Sequence, residues 1–374
     1  MEIKRSFKLA KKNTDSEPVL YENDIIPYWV EKLMDTPVGK VRVVNTKLET
    51  RDQLDGCKAR WGINRHNYKV SPGLYAVGQP DSNSEVLVTA NYKLTFDMLR
   101  KELSGRNLWI VVIDTKGINV WCAAGKGTFG TSEIVSRIRK IQLEKIVEHG
   151  RIILPQLGAP GVAAHTVTKM TGFKVAYGPI YARDLGKYLD TGLKAEESMR
   201  EVSFDFYDRL ILTPIEIVSV LKYIPIIVVA FIILNMTKLS EVGLGKEITL
   251  SICNSVPYFV ALFIGAFLFP LLLPYLPFHA FSLKGTILGV LLSVFVFGFG
   301  DFFQYDKSVF LYLGNTLLIT GIVAFLSLNF TGCTTYTSLS GVKLETKWTT
   351  IIAGISGIIG VLLLIANSVI QFVD

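Results

Sequence analysis

The chain predicts an α/β domain followed by an all-α bundle of apolar helices, and three observations carry that reading. Short apolar runs such as Trp109 to Ile113 alternate with helical patterns through the first half, as expected for strands buried on both faces of a mostly parallel sheet. Of 39 Lys and Arg residues, 32 fall in residues 1–213 and seven in the last 161. The mean hydropathy of +0.38 therefore comes from the C-terminal part, where five apolar segments approach the roughly 20 residues that cross a bilayer core.

In order, residues 1–40 read as an irregular N-terminal arm, 41–213 as the α/β domain and 214–374 as a transmembrane domain of about five helices. Strands are expected at 41–48, 86–90, 108–114, 151–154, 174–177 and 201–207, and helices at 95–103, 131–149, 162–171 and 181–189. Thr131 or Ser132 with Glu133 supplies capping chemistry for the second helix. Residues 190–200 read as a connector.

The five spans are placed at 215–236, 255–277, 284–303, 308–328 and 349–372. Lys222 and Pro225 predict a kink in the first, and Pro270, Pro274 and Pro277 a bend or early end to the second. Gly354, Gly357, Gly298 and Gly300 would let helices approach closely. With Arg183, Lys187, Lys194, Arg200 and Arg209 ahead of the first span and no apolar core in residues 1–12, the expectation is a multi-pass protein of the inner (cytoplasmic) membrane. Its α/β domain lies in the cytoplasm and its C-terminus outside.

Charge and cysteine usage narrow the function. The net charge of +7 is scattered through the soluble half without a zinc finger or RNA-binding motif, so it reads as membrane attraction, with no nucleic-acid partner. Cys57, Cys122, Cys253 and Cys333 show no paired spacing, which encodes neither a disulfide framework nor an iron-sulfur site.

Cys122 is the residue that points to chemistry. It sits in Asn119-Val120-Trp121-Cys122-Ala123-Ala124-Gly125-Lys126, after the 108–114 strand and before a helix, where open α/β sheets bind ligands. Three readings stand on the residues alone: a metal ligand, a buried small hydrophobe, or part of a nucleotide loop. Gly125-Lys126-Gly127-Thr128-Phe129-Gly130 fits G-x-G-x-x-G, although the strand 151–154 ends in Pro155-Gln156 with no acidic residue for a ribose. Small-residue loops also follow the other strands: Thr89-Ala90-Asn91, Gln156 to Ala164, and Tyr177-Gly178-Pro179. None of His66, His149, His165 or His279 stands in the D-x-H-x-x-G frame of histidine-ligated cobalamin.

The Asn119 to Lys126 stretch resembles the cap-helix motif of the mercury-methylating corrinoid proteins, the HgcA family, at all eight positions. Gly73 to Gly78, Val88 to Lys93 and Leu154 to Gly161 resemble the corrinoid domain shared with the corrinoid iron-sulfur protein large subunit. The resemblance covers most of residues 60–215 and implies a Rossmann-like corrinoid-binding domain. It implies a corrinoid (cobalamin) held by Thr89, Asn91, Asn119, Val120, Trp121, Cys122, Ala123, Ala124, Gly125, Lys126, Gln156, Gly158, Ala159, Gly161, Val162, Ala163, Tyr177 and Gly178, with Cys122 as the catalytic residue and lower axial ligand to cobalt. Trp121 and Phe129 would shield the lower face.

A thiolate is a strong, soft donor that enriches the methyl group on the opposite face of cobalt, which suits transfer to the electrophile Hg(II) as a carbanion or radical equivalent. The same ligand opposes reduction of the metal, so Cys122 should dissociate when cobalt is reduced. The implied partners are the ferredoxin-like iron-sulfur protein HgcB as electron donor, a methyl-donating pathway protein or methyltetrahydrofolate, and Hg(II) as substrate. A corrinoid methyl carrier with another acceptor, and a membrane-anchored nucleotide-binding module, are the alternatives.

Overall fold

The computed structural model describes residues 17–23, 25–235, 243–299, 308–334 and 339–373. They fall into two compact units, residues up to Ala59 with Asn64–Glu201, and Arg60–Ile63 with Val202 onward.

The first unit is built on a seven-stranded mixed sheet of order β1-β2-β3-β5-β4-β6-β7. β1 (Val30–Thr36) and β2 (Gly39–Val44) form an antiparallel hairpin, turning at Gly39 with φ 113°, a conformation that glycine adopts without steric cost. The expected irregular arm through residue 40 is thus corrected. Glu31, Lys32 and Asp35 mask the alternation because β1 is the exposed edge strand, where charges discourage further pairing. β3 (Gly73–Val77) runs parallel to β2 and antiparallel to β5 (Leu108–Ile113). β4 (Val86–Ala90), β5, β6 (Arg151–Leu154) and β7 (Lys174–Tyr177) are mutually parallel.

Every residue of β3, β4 and β5 is buried, because helices cover both faces. Val86, Val88, Val111 and Ile113 pack with α3 (Val120–Lys126), α4 (Thr131–Lys140) and α5 (Ala164–Thr171). The alternate residues Leu87, Ile110 and Val112 pack with Phe96 of α2 (Lys93–Glu102) and Leu185 of α6 (Leu185–Asp190). This period-two division is what a doubly covered strand imposes.

Three local expectations change. The helix from Thr131 ends at Lys140, since Gln142 takes a left-handed conformation (φ 50°) before a 3₁₀ turn. The expected strand at 201–207 is replaced by helix α7 (Phe206–Leu221), whose N-cap Asp205 accepts the Asp208 N–H at 2.9 Å. The polar helix α1 (Thr50–Arg60) had no apolar stripe to announce it.

In the second unit, five helical stretches are long and apolar enough to cross a membrane among the described residues: Phe206–Asn235, Leu244–Leu272, Phe281–Phe299, Val309–Gly332 and Ser340–Ile370. The first breaks between α7 and α8 (Ile224–Asn235), just ahead of Pro225. The second comprises α9 (Leu244–Phe263), a π turn (Ile264–Leu268) and α10 (Phe269–Leu272), with Pro270 at the entry to the last piece. The remaining helices are α11 (Phe281–Phe299), α12 (Val309–Ser327) and α13 (Leu339–Val373).

The expected close-approach glycines are corrected. Gly298, Gly354 and Gly357 have no neighbour where a side chain would begin, and Gly300 lies outside the described residues. Close contact is made by Gly289, whose missing Cβ would lie 2.6 Å from Thr320 Cα, and by Gly314 and Gly360, where a Cβ on either would lie 3.0 Å from the other's carbonyl oxygen.

Candidate functional site

Four parallel strands bring four loops to one edge of the sheet. Asn91 follows β4, Asp114 to Asn119 follow β5, Pro155 to Val162 follow β6 and Gly178 follows β7. β4 is the first of the four in sequence yet lies between β5 and β6, so the chain reverses direction across the sheet there. Such a reversal opens a crevice at the carboxyl ends of the strands.

The loop after β5 is held by a buried amide. Asn91 is 2 % exposed; its Oδ1 accepts from Thr115 N (3.1 Å), Thr115 Oγ1 (2.9 Å) and Gly117 N (2.9 Å). Its Nδ2 donates to Asp114 Oδ1 at 3.1 Å. Asp114 also accepts the Lys116 N–H at 2.9 Å and pairs with the Lys116 ammonium. Burial pushes its carboxyl up, but these donors outweigh it and hold Asp114 below the usual carboxylate range. The single hydroxyl hydrogen of Thr115 is shared between Asn91 Oδ1 and the Ile118 carbonyl, which lies 2.7 Å away, and the chain then enters α3.

Helix α3 presents Cys122. Asn119 is its N-cap, with Oδ1 accepting the Cys122 N–H at 2.9 Å, the interaction that favours Asn at helix starts. Gly127, at φ 78°, closes the other end as a left-handed C-cap. Val120, Ala123 and Ala124 are buried, while Cys122, Gly125 and Lys126 are exposed and Trp121 is half-buried. Cys122 is a free thiol. Gly125, one turn beyond it, has open space where a side chain would begin, so a bare patch of helix surface adjoins the sulfur.

The 3₁₀ turn Gln156–Gly161 packs directly under α3. A Cβ on Gly161 would lie 2.2 Å from the Phe129 carbonyl and 3.2 Å from Ala124 Cα, and one on Gly158 would lie 2.5 Å from the Phe129 ring. These glycines therefore serve close packing of the cap helix, and Phe129 is a core aromatic at 0 % exposure. Gly178 is buried against Ile153, and Thr89, like Val162, is buried. Gln156 is half-buried and accepts from Arg200; Ala159, Ala163 and Tyr177 are half-buried, with Tyr177 Oη donating to the Val162 carbonyl at 3.3 Å. Burial raises the Tyr177 phenol.

The expected site residues thus gather on one edge, divided between an exposed face around Cys122 and a buried layer that supports it. Asp114, Thr115 and Thr131 belong to that layer and escaped sequence reasoning. Thr131 does not cap α4; its Oγ1 accepts the Ala163 N–H at 2.8 Å, and Gly130 is the N-cap. Glu133 accepts the Asp114 N–H at 3.0 Å instead of closing a capping box. The dinucleotide reading loses its geometry, since Gly125 and Lys126 lie inside α3 and no glycine-rich loop joins β5 directly to a helix N-terminus. His165 is exposed, in contact with Thr166.

Asn91→Ala is expected to orphan the buried Thr115 and Gly117 groups and destabilise the α/β unit by at least about 2 kcal/mol. Urea unfolding followed by the near-ultraviolet signal of Trp109 and Trp121 measures it; an unchanged midpoint would remove Asn91 from the support layer.

Comparison with known proteins places this edge in a family context. Residues 62–189 match the family model of the CO dehydrogenase/acetyl-CoA synthase delta subunit. The acetyl-CoA decarbonylase/synthase complex subunit gamma of Methanopyrus kandleri is 33% identical over 128 residues, 34% of this chain and 27% of the relative. The corrinoid/iron-sulfur protein large subunit of Moorella thermoacetica is 31% identical over 113 residues, 30% of this chain and 25% of the relative. This chain therefore spans about a quarter of the length of these relatives. Over the cap helix, the rim loops and the parallel strands, the α/β unit is related to the proteins of the acetyl-CoA decarbonylase/synthase and corrinoid/iron-sulfur family.

Proposed function

We infer that this chain is a membrane-anchored corrinoid methyltransferase that delivers a methyl group to Hg(II), forming methylmercury. The observation that carries the reading is an exposed free cysteine on a short helix capped at both ends, at the strand edge of a domain related to corrinoid proteins. The residues fit a broad, flat cofactor: Cys122 offers a soft ligand, and Gly125 leaves the adjoining helix surface bare.

When bound, a corrinoid supplies the methyl group and the cobalt through which it leaves as a carbanion or radical equivalent. The chain's own residues set the terms. Cys122 would hold the cobalt through its sulfur, and Asn119 fixes the backbone of that residue by accepting its N–H. An exposed sulfur outside the core could hold a metal without breaking the fold. Lys126, exposed on the same face, would meet a polar group of the cofactor tail. Asn91, Asp114 and Thr115 hold the loop that carries the helix.

Four cysteines at these spacings offer no cluster of the chain's own, so reducing electrons come from a separate ferredoxin-like protein in this reading. The five apolar helices anchor the enzyme in the cytoplasmic membrane, with the α/β domain on the cytoplasmic side.

The visible spectrum of purified protein reconstituted with cobalamin tests the reading. Wild type should show a corrinoid spectrum displaced from that of free cobalamin, and Cys122→Ala should lose the displacement; identical spectra would refute thiolate ligation. Gly125→Leu separates surface shape from stability. Its side chain meets open space, and relief of a helical glycine is worth about 0.5–1 kcal/mol, so the midpoint should hold or rise while cobalt per protein falls severalfold. Full cobalt loading of that variant would show that the bare patch is not where the cofactor lies.

A further inference from the structure

The helical unit contains a buried polar column that anchoring does not require. On α9, Glu247, Ser251, Asn254, Ser255 and Tyr258 fall on one helix face, and all five are buried. The face opposes Asn235, whose Nδ2 donates to Ser251 Oγ at 3.0 Å, and Asn315, whose Oδ1 accepts from Tyr258 Oη at 2.6 Å. Ser251 Oγ donates onward to Glu247 Oε1 at 3.2 Å. From Glu247 to Tyr258 the helix advances roughly 16 Å, about half the thickness of a bilayer core.

Part of this column is unsatisfied. Asn254 is 0 % exposed and neither its Nδ2 nor its Oδ1 has a hydrogen-bond partner; Glu247 is 1 % exposed and its Oε2 has none. Native structures rarely leave buried amides and carboxylates in this state, because the desolvation cost is not offset. A third oxygen is released by the backbone. Pro257 lies inside the helix and has no N–H to offer the Cys253 carbonyl four residues back.

The donors are carboxylate, amide, hydroxyl and backbone oxygens, a hard set that suits alkali or alkaline-earth cations over soft metals. Charge decides between those two. Glu247 is the one buried acidic side chain among the described residues of this unit. The buried cations are committed elsewhere: Arg209, in the first turn of α7, donates to the Phe204 carbonyl at 2.7 Å, and Lys284, in the first turn of α11, donates to the Leu273 carbonyl at 2.7 Å. A single charge of +1 neutralises the column, whereas a divalent ion would leave a net charge in an apolar bundle. A proton on Glu247 would satisfy Oε2 but leave Asn254 empty.

We propose that the helical unit binds a monovalent alkali cation, sodium in the first instance, in a column that runs from Glu247 to Asn254. The ion is partly hydrated, its water accepting from Asn254 Nδ2, and the serine hydroxyls line its path.

The test uses the full-length protein in lipid nanodiscs, with NaCl exchanged for choline chloride at constant ionic strength. A ligand that binds the folded state raises the unfolding midpoint with the logarithm of its concentration, by roughly 3–6 °C at a tenfold excess over its Kd for a unit of this size. Wild type should show this sodium dependence, and Glu247→Gln and Asn254→Leu should lose it. A second readout needs no variant: carbodiimide labelling of Glu247, read by mass spectrometry, should be suppressed by sodium and not by choline. Equal midpoints in sodium and choline, an undiminished sodium response in Glu247→Gln, or labelling that responds to pH and not to sodium would each overturn the proposal, the last assigning Glu247 as a protonated carboxyl.

Discussion

Cys122→Ala should abolish methylmercury formation, with a loss of more than about 100-fold. Losing a group that merely orients a metal ligand costs about 10–100-fold, so removing the ligand itself sets that as a lower bound. The substitution touches nothing else. Cys122 is exposed and in no disulfide among the described residues, and surface changes of this kind leave stability within about 0.5 kcal/mol. Unfolding midpoint and helix content should therefore match wild type while the assay in whole cells falls to background. Cys122→His makes the comparison sharper, because imidazole would ligate the metal with less electron donation. That variant should retain cofactor, shift the spectrum and transfer methyl slowly. Undiminished methylmercury from Cys122→Ala cells would sink the ligand role, whatever cofactor is bound.

The second large effect lies on the opposite face of the sheet and concerns stability. Lys93→Met should destabilise the α/β unit by about 3–5 kcal/mol, the usual cost of breaking a buried ion pair from one side. Lys93 lies 2.9 Å from Asp52 and 2.6 Å from Asp97, and Arg100 lies 2.7 Å from Asp52 and 2.8 Å from Asp97. All four side chains are buried, and the network ties α1 to α2. Without the ammonium, two carboxylates share one remaining cation. Double substitution with Asp97→Asn should recover part of the loss, and independent, additive effects would argue against a coupled network.

The same network predicts an acid limit. Burial pushes the Asp52 carboxyl up, but the Tyr28 hydroxyl at 2.6 Å, the Lys93 ammonium and the Glu49 N–H outweigh it and hold Asp52 well below the usual carboxylate range. A carboxylate depressed on folding contributes stability that is complete above its unfolded value, about 3.9. That contribution is lost as pH falls through the lower folded value. Wild-type stability should hold from neutrality to about pH 5 and decline below about pH 4. Lys93→Met should decline less steeply there, since its Asp52 has lost a donor; equal slopes would disconnect Asp52 from the acid limit.

Much of the core was legible in the chain itself. The runs that form β4, β5, β6 and β7 were all legible as strands, and the interruption by Pro225 falls beside the break in the first apolar stretch. The hairpin of β1 and β2 was not legible, because an edge strand carries charges where a central strand carries valines. Nor was β3, which was not among the expected strands, or its antiparallel placing beside β5. A strand of five residues gives a short local signal, and pairing across 30 or more residues is decided by the whole sheet.

The site divides along the same line. Residue types alone determined that Cys122 offers a soft ligand and that the surrounding loops are small. The tertiary structure decided which of these residues are exposed and which are committed to support. Asn91 reads as a rim residue, yet its amide is committed to Asp114, Thr115 and Gly117, partners 23 to 26 positions away. Glu247 and Asn254 precede the second span as read from the sequence, at 255–277, yet they lie inside its helix, are buried and carry polar atoms without partners. Whether a polar atom is satisfied depends on groups brought near by long-range packing, and no local pattern encodes that.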